Sequence, residues 1–333
     1  MKLNSTIDDV ALKAGVSKAT VSRVFNDSAS VSPTTRKRVL SAIEQLKYTP
    51  NPHARQLAGG SGTIALVLQE SVREFFANPF WRDVVDGFVS TASIQDKHPI
   101  LLFHSKHQHH SSLIKALIQG NYDSVAIFGW HGNISSLEAD IPDGVRVIFG
   151  GRQGDSRRFT YVGANNYQGA ILATTHLIER GCQRILTITG DLEIESGRER
   201  LHGYMQALKI NEISLDEELI LNCDYSENSV RAKFQKFLDK GIAFDGVFAA
   251  NDLMAIEVLR VLTENGIDVP EQVKVIGFDD IPQAATSNPP LSSIQQPSFQ
   301  LGQKVAEQLL QHKDIKLSNI ELPITVIARL SSS

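Results

Sequence analysis

The chain has 333 residues, of which 42% are hydrophobic and 21% charged, and its formal net charge is −4. That composition excludes a disordered chain, and at about 150 residues per domain the length suggests about two domains. The sequence has no uninterrupted apolar stretch of the length a membrane-spanning helix needs, and its N-terminus lacks the apolar core of a signal peptide, so neither a spanning segment nor export is expected. Two distant cysteines, Cys182 and Cys223, exclude a disulfide scaffold and fit a reducing, cytoplasmic setting.

The charge is unevenly spread. The first 60 residues carry nine Lys and Arg against four Asp and Glu, while the other 273 carry 24 against 33. A basic head on an acidic body suggests that the head meets a polyanion.

Thr6 and Asp9 have the spacing of a capping box, with Ile7, Val10, Ala11 and Ala14 on one apolar face and Gly15 as the stop. Ser17 can cap a second helix from Lys18 to about Asn26, with Val21 and Val24 inward and Lys18, Ala19, Ser22 and Arg23 outward. Ser32 and Pro33 open a third helix whose inner side is Val39, Ile43 and Leu46. Two short helices joined by a Gly turn and followed by a third describe a helix-turn-helix head. A three-helix cap without a ligand has the same amphipathicity; the basic balance and the small, polar outward face favour DNA.

Pro50 and Pro52 break the third helix, and Gly59-Gly60-Ser61-Gly62 isolates the segment before the body. That segment is too short for a stable lone helix in water, but it can fold on DNA with Leu57 wedged into the minor groove. The alternative is a plain linker whose leucine packs on the body.

The run Thr6–Ala11, then Ala14-Gly15-Val16-Ser17-Lys18-Ala19-Thr20-Val21-Ser22-Arg23-Val24, resembles the head of the lactose/galactose repressor family, and Tyr48-Thr49-Pro50-Asn51-Pro52-His53-Ala54-Arg55-Gln56-Leu57-Ala58 resembles that family's hinge. The resemblance spans essentially the whole chain. It implies a DNA-contact set of Thr6, Ser17, Lys18, Ala19, Thr20, Ser22, Arg23, Asn26, Ala54 and Leu57. Within it, Lys18 and Ala19 set operator choice, Arg23 reads a base edge and Leu57 is the wedge. The implied division is a helix-turn-helix domain at 1–49, a hinge helix and linker at 50–61, and an effector-binding and dimerisation domain at 62–333.

In the body, apolar runs at 64–68, 100–103, 125–128, 145–149, 185–189, 247–250 and 273–278 read as buried parallel strands. Stretches at 80–94, 111–119, 168–180, 198–208, 229–240 and 253–264 read as helices, and 320–329 as a last strand. This is a doubly wound α/β pattern, too long for one sheet, so two lobes with a cleft at the strand ends are expected. The fold class is thus an all-α head plus a two-lobed α/β body with parallel sheets. The resemblance makes the body periplasmic-binding-protein-like. It puts one lobe at about 62–162 and 291–321 and the other at about 163–290 and 322–333, with crossings near Val162, Leu291 and Leu322.

Candidate effector residues follow strands. Asn251 and Asp279 end two of them, and Arg152 follows a third. Arg200 lies on Ser196–Tyr204, which resembles the family's sugar-contacting arginine motif. An arginine fork and a carboxylate can each hold two vicinal hydroxyls, and an asparagine both donates and accepts. Phe80 and Tyr225 offer flat faces for a sugar ring. Asp252 is equally a helix cap or a ligand contact, Asp280 reads as structural, and an interlobe salt bridge is the alternative for Arg152. Asn165-Asn166, and the long connection at 69–77, depart from the family pattern near the expected cleft mouth.

His104, His107, His109 and His110 lack the converging geometry of a metal site and read as a solvated loop. No phosphate loop, nucleophile elbow or zinc-protease motif occurs, so no cofactor, metal or catalytic residue is expected. The leading reading is a ligand-responsive repressor, a homodimer on a near-palindromic operator that responds to a small-molecule effector, favoured as a sugar, and touches no membrane. A cytoplasmic sugar sensor without an operator, and a sugar-acting enzyme, are the alternatives.

Overall fold

The computed structural model describes residues 6–25, 31–46 and 63–333, apart from 96, 106, 107, 121, 143, 155, 157, 313 and 314. Asn26, Ala54, Leu57, the whole expected hinge and His107 lie outside the described residues. The chain divides into two compact units, 1–62 and 63–333.

In the first unit, α1 (Ile7–Ala14) opens with the expected capping box and closes on Gly15, whose φ of 64° is the left-handed conformation that glycine adopts without strain. In α2 (Lys18–Phe25) the Ser17 hydroxyl accepts the Thr20 amide (3.1 Å), and at α3 (Pro33–Leu46) Ser32 accepts that of Thr35 (3.2 Å). Val10, Ala11, Ala14, Val21, Val24, Val39 and Ala42 form its small core.

The second unit holds two six-stranded sheets. The first contains β1 (Ile64–Leu68), β2 (Ile100–Phe103), β3 (Ser124–Phe128), β4 (Arg146–Gly150), β5 (Thr160–Ala164) and β11 (Ile320–Leu322), in the order β11-β5-β4-β3-β1-β2, and every pairing is parallel. The second contains β6 (Ile185–Ile188), β7 (Ile220–Leu221), β8 (Gly246–Ala249), β9 (Lys274–Asp279), β10 (Ser292–Gln295) and β12 (Thr325–Ile327), in the order β12-β10-β9-β8-β6-β7. Only the β10–β12 pairing is antiparallel.

Helices cover both faces of each sheet, as parallel strands require. On the first sheet, α5 (Pro79–Ile94) and α13 (Ser298–Leu310) cover one face, and α6 (His110–Gln119) with α7 (Ile134–Asp140) the other. Gly87 and Gly302 let α5 and α13 touch, since a Cβ on either would sit about 2 Å from a carbonyl oxygen of the other helix. On the second sheet, α10 (Glu227–Leu238), α11 (Asp252–Glu264) and the short α12 (Pro282–Thr286) cover one face, and α8 (Asn166–Glu179) with α9 (Glu195–Ile210) the other.

Three differences from the sequence reading have physical causes. Pro323, which has no N–H for a ladder, separates β11 from β12, so the single strand read at 320–329 is two strands in different sheets. β10, Ser-Ser-Ile-Gln, has no apolar run to mark it in the sequence, and it keeps the chain in the second sheet until Gln295, so the second crossing falls beyond Leu291. The connection at 69–77 holds a helix, α4 (Val72–Ala77), opened by a Ser71/Glu74 capping box. The first crossing follows Ala164 and the third lies between Leu322 and Thr325.

The histidine loop is also not uniformly solvated. His104 is buried, and burial, then His110, holds its pKa below the ordinary value, while the His110 ring stacks on Trp130 at 4.5 Å. Both cysteines are free and buried, and burial pushes the Cys182 thiol up to about 12. Among the described residues, no helix is long and apolar enough to cross a membrane and no group of His, Cys, Asp and Glu side chains is arranged to hold a metal ion.

Candidate functional site

The strands of both sheets end at one cleft, where doubly wound sheets place their ligands. It encloses about 820 Å³ including its open mouth, and Phe80, Arg152, Arg200, Tyr225, Asn251 and Asp279 all line it. The structure therefore brings together the six residues chosen from sequence, which come from both lobes.

Arg200, on α9, is buried at the floor. Its Nε donates to Asn166 Oδ1 (3.0 Å), its Nη1 donates to the Ala250 carbonyl, and Nη1 stands 3.7 Å from Asp279 Oδ1. Its guanidinium lies 3.8 Å from the centroid of the Phe278 ring. A planar fork held on this many sides is preorganised for recognition. Burial pushes Asp279 up to about 6, against the opposing pull of Arg200 and of Gln296, whose Nε2 donates to Asp279 Oδ1 (2.6 Å).

Tyr225 and Asp279 are non-glycine residues at φ 68° and 109°, a strained backbone region. Tyr225 crosses the cleft with its hydroxyl 3.3 Å from that of Ser196, over Gly190, where a Cβ would collide with the ring at 2.0 Å. Phe80 packs against core residues of both lobes and meets Trp81 edge to face at 5.0 Å.

Two assignments change. Asn251 caps α11, accepting the Met254 amide at 2.9 Å, and its Nδ2 donates to the Tyr225 carbonyl (3.3 Å), so both ends of the amide already have partners. Asp252 is not the cap, and it is not among the residues that line the cleft. It is fully buried and accepts from Ser293 Oγ (2.6 Å) and the Ile281 amide (2.8 Å); burial, then Asp279, raises its pKa well above the ordinary carboxylate range. Asp280 is structural, paired with Arg329 at 2.8 Å. Arg152 lines the cleft and faces Glu199 of the other lobe at 4.0 Å.

Trp81, Asn166, Ser196 and Gln296 also line the cleft and were not read as site residues. Asn166 belongs to the Asn-Asn departure noted in the sequence. It ties Arg200 to Glu199, donating to Glu199 Oε2 at 3.2 Å.

In the head, Ser17, Lys18, Ala19 and Arg23 are exposed and Thr20 and Ser22 half-buried, while Val21 and Val24 are buried. Lys18 Nζ lies 2.6 Å from Asp8 in an exposed pair, worth under about 1 kcal/mol and easily exchanged for a phosphate. Thr6 is exposed and caps α1.

Residues 6–51 match the family described as bacterial regulatory proteins, lacI family, and residues 174–332 match the periplasmic binding protein-like domain. Over 308 residues, 92% of this chain and 91% of the relative, the sequence is 37% identical to the HTH-type transcriptional regulator CelR of Thermobifida fusca. The chain belongs to the lacI family of bacterial regulatory proteins. Among solved members of the family, a CelR–cellobiose complex superimposes with a TM-score of 0.76 at 34% identity, covering 98% of this chain and 99% of that one. A lac repressor dimer bound to operator and the anti-inducer ONPF gives 0.80 at 27% identity, covering 99% of each. The lacI-family fold is a helix-turn-helix head and a two-lobed α/β body, and the family's members are transcriptional regulators.

Proposed function

We propose that this chain is a cytoplasmic, homodimeric repressor that grips a near-palindromic operator and changes its grip when a sugar enters the interlobe cleft. The supporting observation is the buried Arg200 fork facing Asp279 on a floor flanked by Phe80, Trp81 and Tyr225. This set offers paired donors and acceptors for vicinal hydroxyls and aromatic faces for the apolar side of a pyranose. It offers no nucleophile beside a base, which supports binding over catalysis.

In the head, Lys18 and Ala19 choose the operator, Arg23 contacts a base edge, and Ser17, Thr20 and Ser22 hold phosphates or neighbouring bases. Thr6, Asn26, Ala54 and the Leu57 wedge complete the contact set. The two lobes meet through His131 Nε2 and Asp191 (3.3 Å) and through Arg152 and Glu199. A sugar that prefers one lobe arrangement shifts the population toward it, and with it the operator affinity.

The test is thermal denaturation of the purified protein against neutral sugars, sugar phosphates and nucleosides, followed by operator titration with each hit. A sugar that raises the Tm and also changes operator affinity is expected. A Tm raised only by nucleosides, or an operator affinity that no hit changes, overturns the reading.

A further inference from the structure

The three crossings between the lobes leave from β5, β10 and β11, and these strands with β12 form one edge of each sheet. A rotation about the crossings therefore moves the strands far from that edge most. In the first sheet β3 stands two places from β5, and in the second β6 is separated from β10 by β9 and β8. His131 follows β3 and Asp191 follows β6, and their side chains meet at 3.3 Å across the lobes. The other interlobe pair, Arg152 with Glu199, starts from the end of β4, beside β5. The His131–Asp191 contact thus joins the lobes on the side that separates most on opening.

Each partner is fixed to its own lobe. The His131 backbone N–H donates to Oε1 of Gln69, a side chain 2% exposed at the end of β1, whose own backbone N–H donates to the Phe128 carbonyl (3.0 Å). On the other lobe, Asp191 Oδ1 accepts the Glu193 amide (2.9 Å), which leaves Oδ2 to His131. Arg198 Nη1 donates to the Leu192 and Glu193 carbonyls, both at 2.9 Å, and a Cβ on Gly197 would sit 2.1 Å from the Asp191 carbonyl oxygen. The Asp191 loop is therefore pinned to α9, the helix that carries Arg200.

The His131 ring has no hydrogen bond inside its own lobe. Among the described residues its Nδ1 is buried without a partner, and Nε2 makes the ring's one hydrogen bond, to Asp191. The two side chains are 12% and 13% exposed, against 49% for Arg152, so solvent screens this pair less.

We infer that His131 and Asp191 form a latch that holds the lobes closed before any effector binds, with Gln69 as the residue that positions His131. The inference stands whatever ligand the cleft takes. Effector affinity scales with the closed fraction, and entry and exit wait on release of the latch.

The chain's two tryptophans supply the readout. Trp81, on the first lobe, lines the same space as His131 and Asp191, together with Ile194 and Tyr225 of the second lobe, so opening exposes it. Trp130 is buried and its Nε1 has no partner among the described residues, so Trp130→Phe removes no hydrogen bond and leaves Trp81 as the single reporter. The experiment is acrylamide quenching of the full-length Trp130→Phe chain without effector, with a melting transition to confirm that each variant folds. His131→Ala is expected to lower the closed-to-open ratio about tenfold and to raise the quenching constant at least about twofold. Asp191→Ala should match it, and the double variant should add nothing, because all three lose the same contact. Gln69→Met should raise quenching in the parent and add nothing to His131→Ala. His131→Gln, whose side-chain amide can donate to Asp191 as Nε2 does, should stay near the parent value. Quenching unchanged by His131→Ala and Asp191→Ala overturns the latch, and so do effects of the two that add. His131→Gln opening as far as His131→Ala also overturns it, because ring packing and not the hydrogen bond would then hold the lobes. An effect of Gln69→Met that adds to that of His131→Ala removes Gln69 from the latch.

Discussion

The residues aimed outward from the head fall between Ser17 and Arg23 on one short helix and its cap, and most of them are exposed. The cleft gathers its residues from Glu70 to Leu301, and it buries Arg200 and Asp279 almost completely. The head's core is small and carries none of the residues proposed to read bases, so its surface can change without the fold changing. The cleft's polar groups are also part of what holds the second lobe together, as Arg200 links α9 to the start of α8 and to the ends of β8 and β9. A ligand that replaces any of these contacts must therefore act on the packing of the second lobe. That difference is what a regulator needs, with an interchangeable reader on one unit and a site coupled to shape on the other.

The largest expected effect tests that coupling. Arg200→Ala removes two hydrogen bonds and leaves Asp279 buried with Gln296 as its remaining side-chain hydrogen-bond donor. Effector affinity measured by calorimetry should fall at least about 100-fold, as charge-assisted hydrogen bonds to a ligand are lost. Operator affinity without effector should stay within about twofold, because Arg200 lies in the other compact unit. An unchanged effector titration would remove Arg200 from the site. The converse variant, Arg23→Ala, should cost about 10- to 100-fold in operator affinity by fluorescence anisotropy and relax specificity at one base pair, with the effector titration unchanged. A uniform loss across all DNA sequences would make Arg23 a phosphate contact instead.

The same contrast explains what the sequence discloses. The head's signals are contiguous: the Thr6/Asp9 box, Gly15, and Ser32 with Pro33 each act within four residues, so local chemistry suffices to place all three helices. In the body, apolar runs reveal the central strands, but β10 is disguised. Ser292 and Ser293 are fully buried yet polar, and their hydroxyls donate to the Arg329 carbonyl and Asp252 Oδ1, which no window of neighbours can reveal. With β10 hidden, Gln296 just beyond it was hidden as a site residue. Helix α13 carries a buried stripe of Leu301, Val305 and Leu309 at helical spacing. Of the six cleft residues, Arg152, Asn251 and Asp279 were legible from their positions after strands, Arg200 from the arginine motif, and Phe80 and Tyr225 from the flat faces they offer a sugar ring. The double engagement of Asn251 was not, since its partner Tyr225 lies 26 positions away.

A third test uses pH. Asp279 titrates near 6 because burial disfavours its charged form. If the carboxylate is what accepts the effector's hydroxyls, affinity should be about tenfold weaker at pH 5 than at pH 8, and Asp279→Asn should flatten that dependence. For folding the sign is opposite. The folded chain holds this proton more tightly than the ordinary carboxylate value of 3.8, so the group favours folding most below about pH 4, and that contribution is lost as pH rises through about 6. Affinity that stays level from pH 8 to 5 would mean that the effector does not use the charged carboxylate.

The smallest effect belongs to Arg152, which stands between the two kinds of region. It lines the cleft like Arg200, but its side chain is 49% exposed and its nearest carboxylate, Glu199, is 4.0 Å away. Solvent screens such a pair, so its share in holding the lobes together is under about 1 kcal/mol. Arg152→Ala should change effector affinity by less than about fivefold, and the double variant with Glu199→Gln should show little coupling energy in calorimetry. A loss as large as that of Arg200→Ala, with no coupling to Glu199, would mean that Arg152 grips the ligand directly. Recognition would then reach from the buried floor to the exposed rim, and burial would no longer be what separates the cleft from the head.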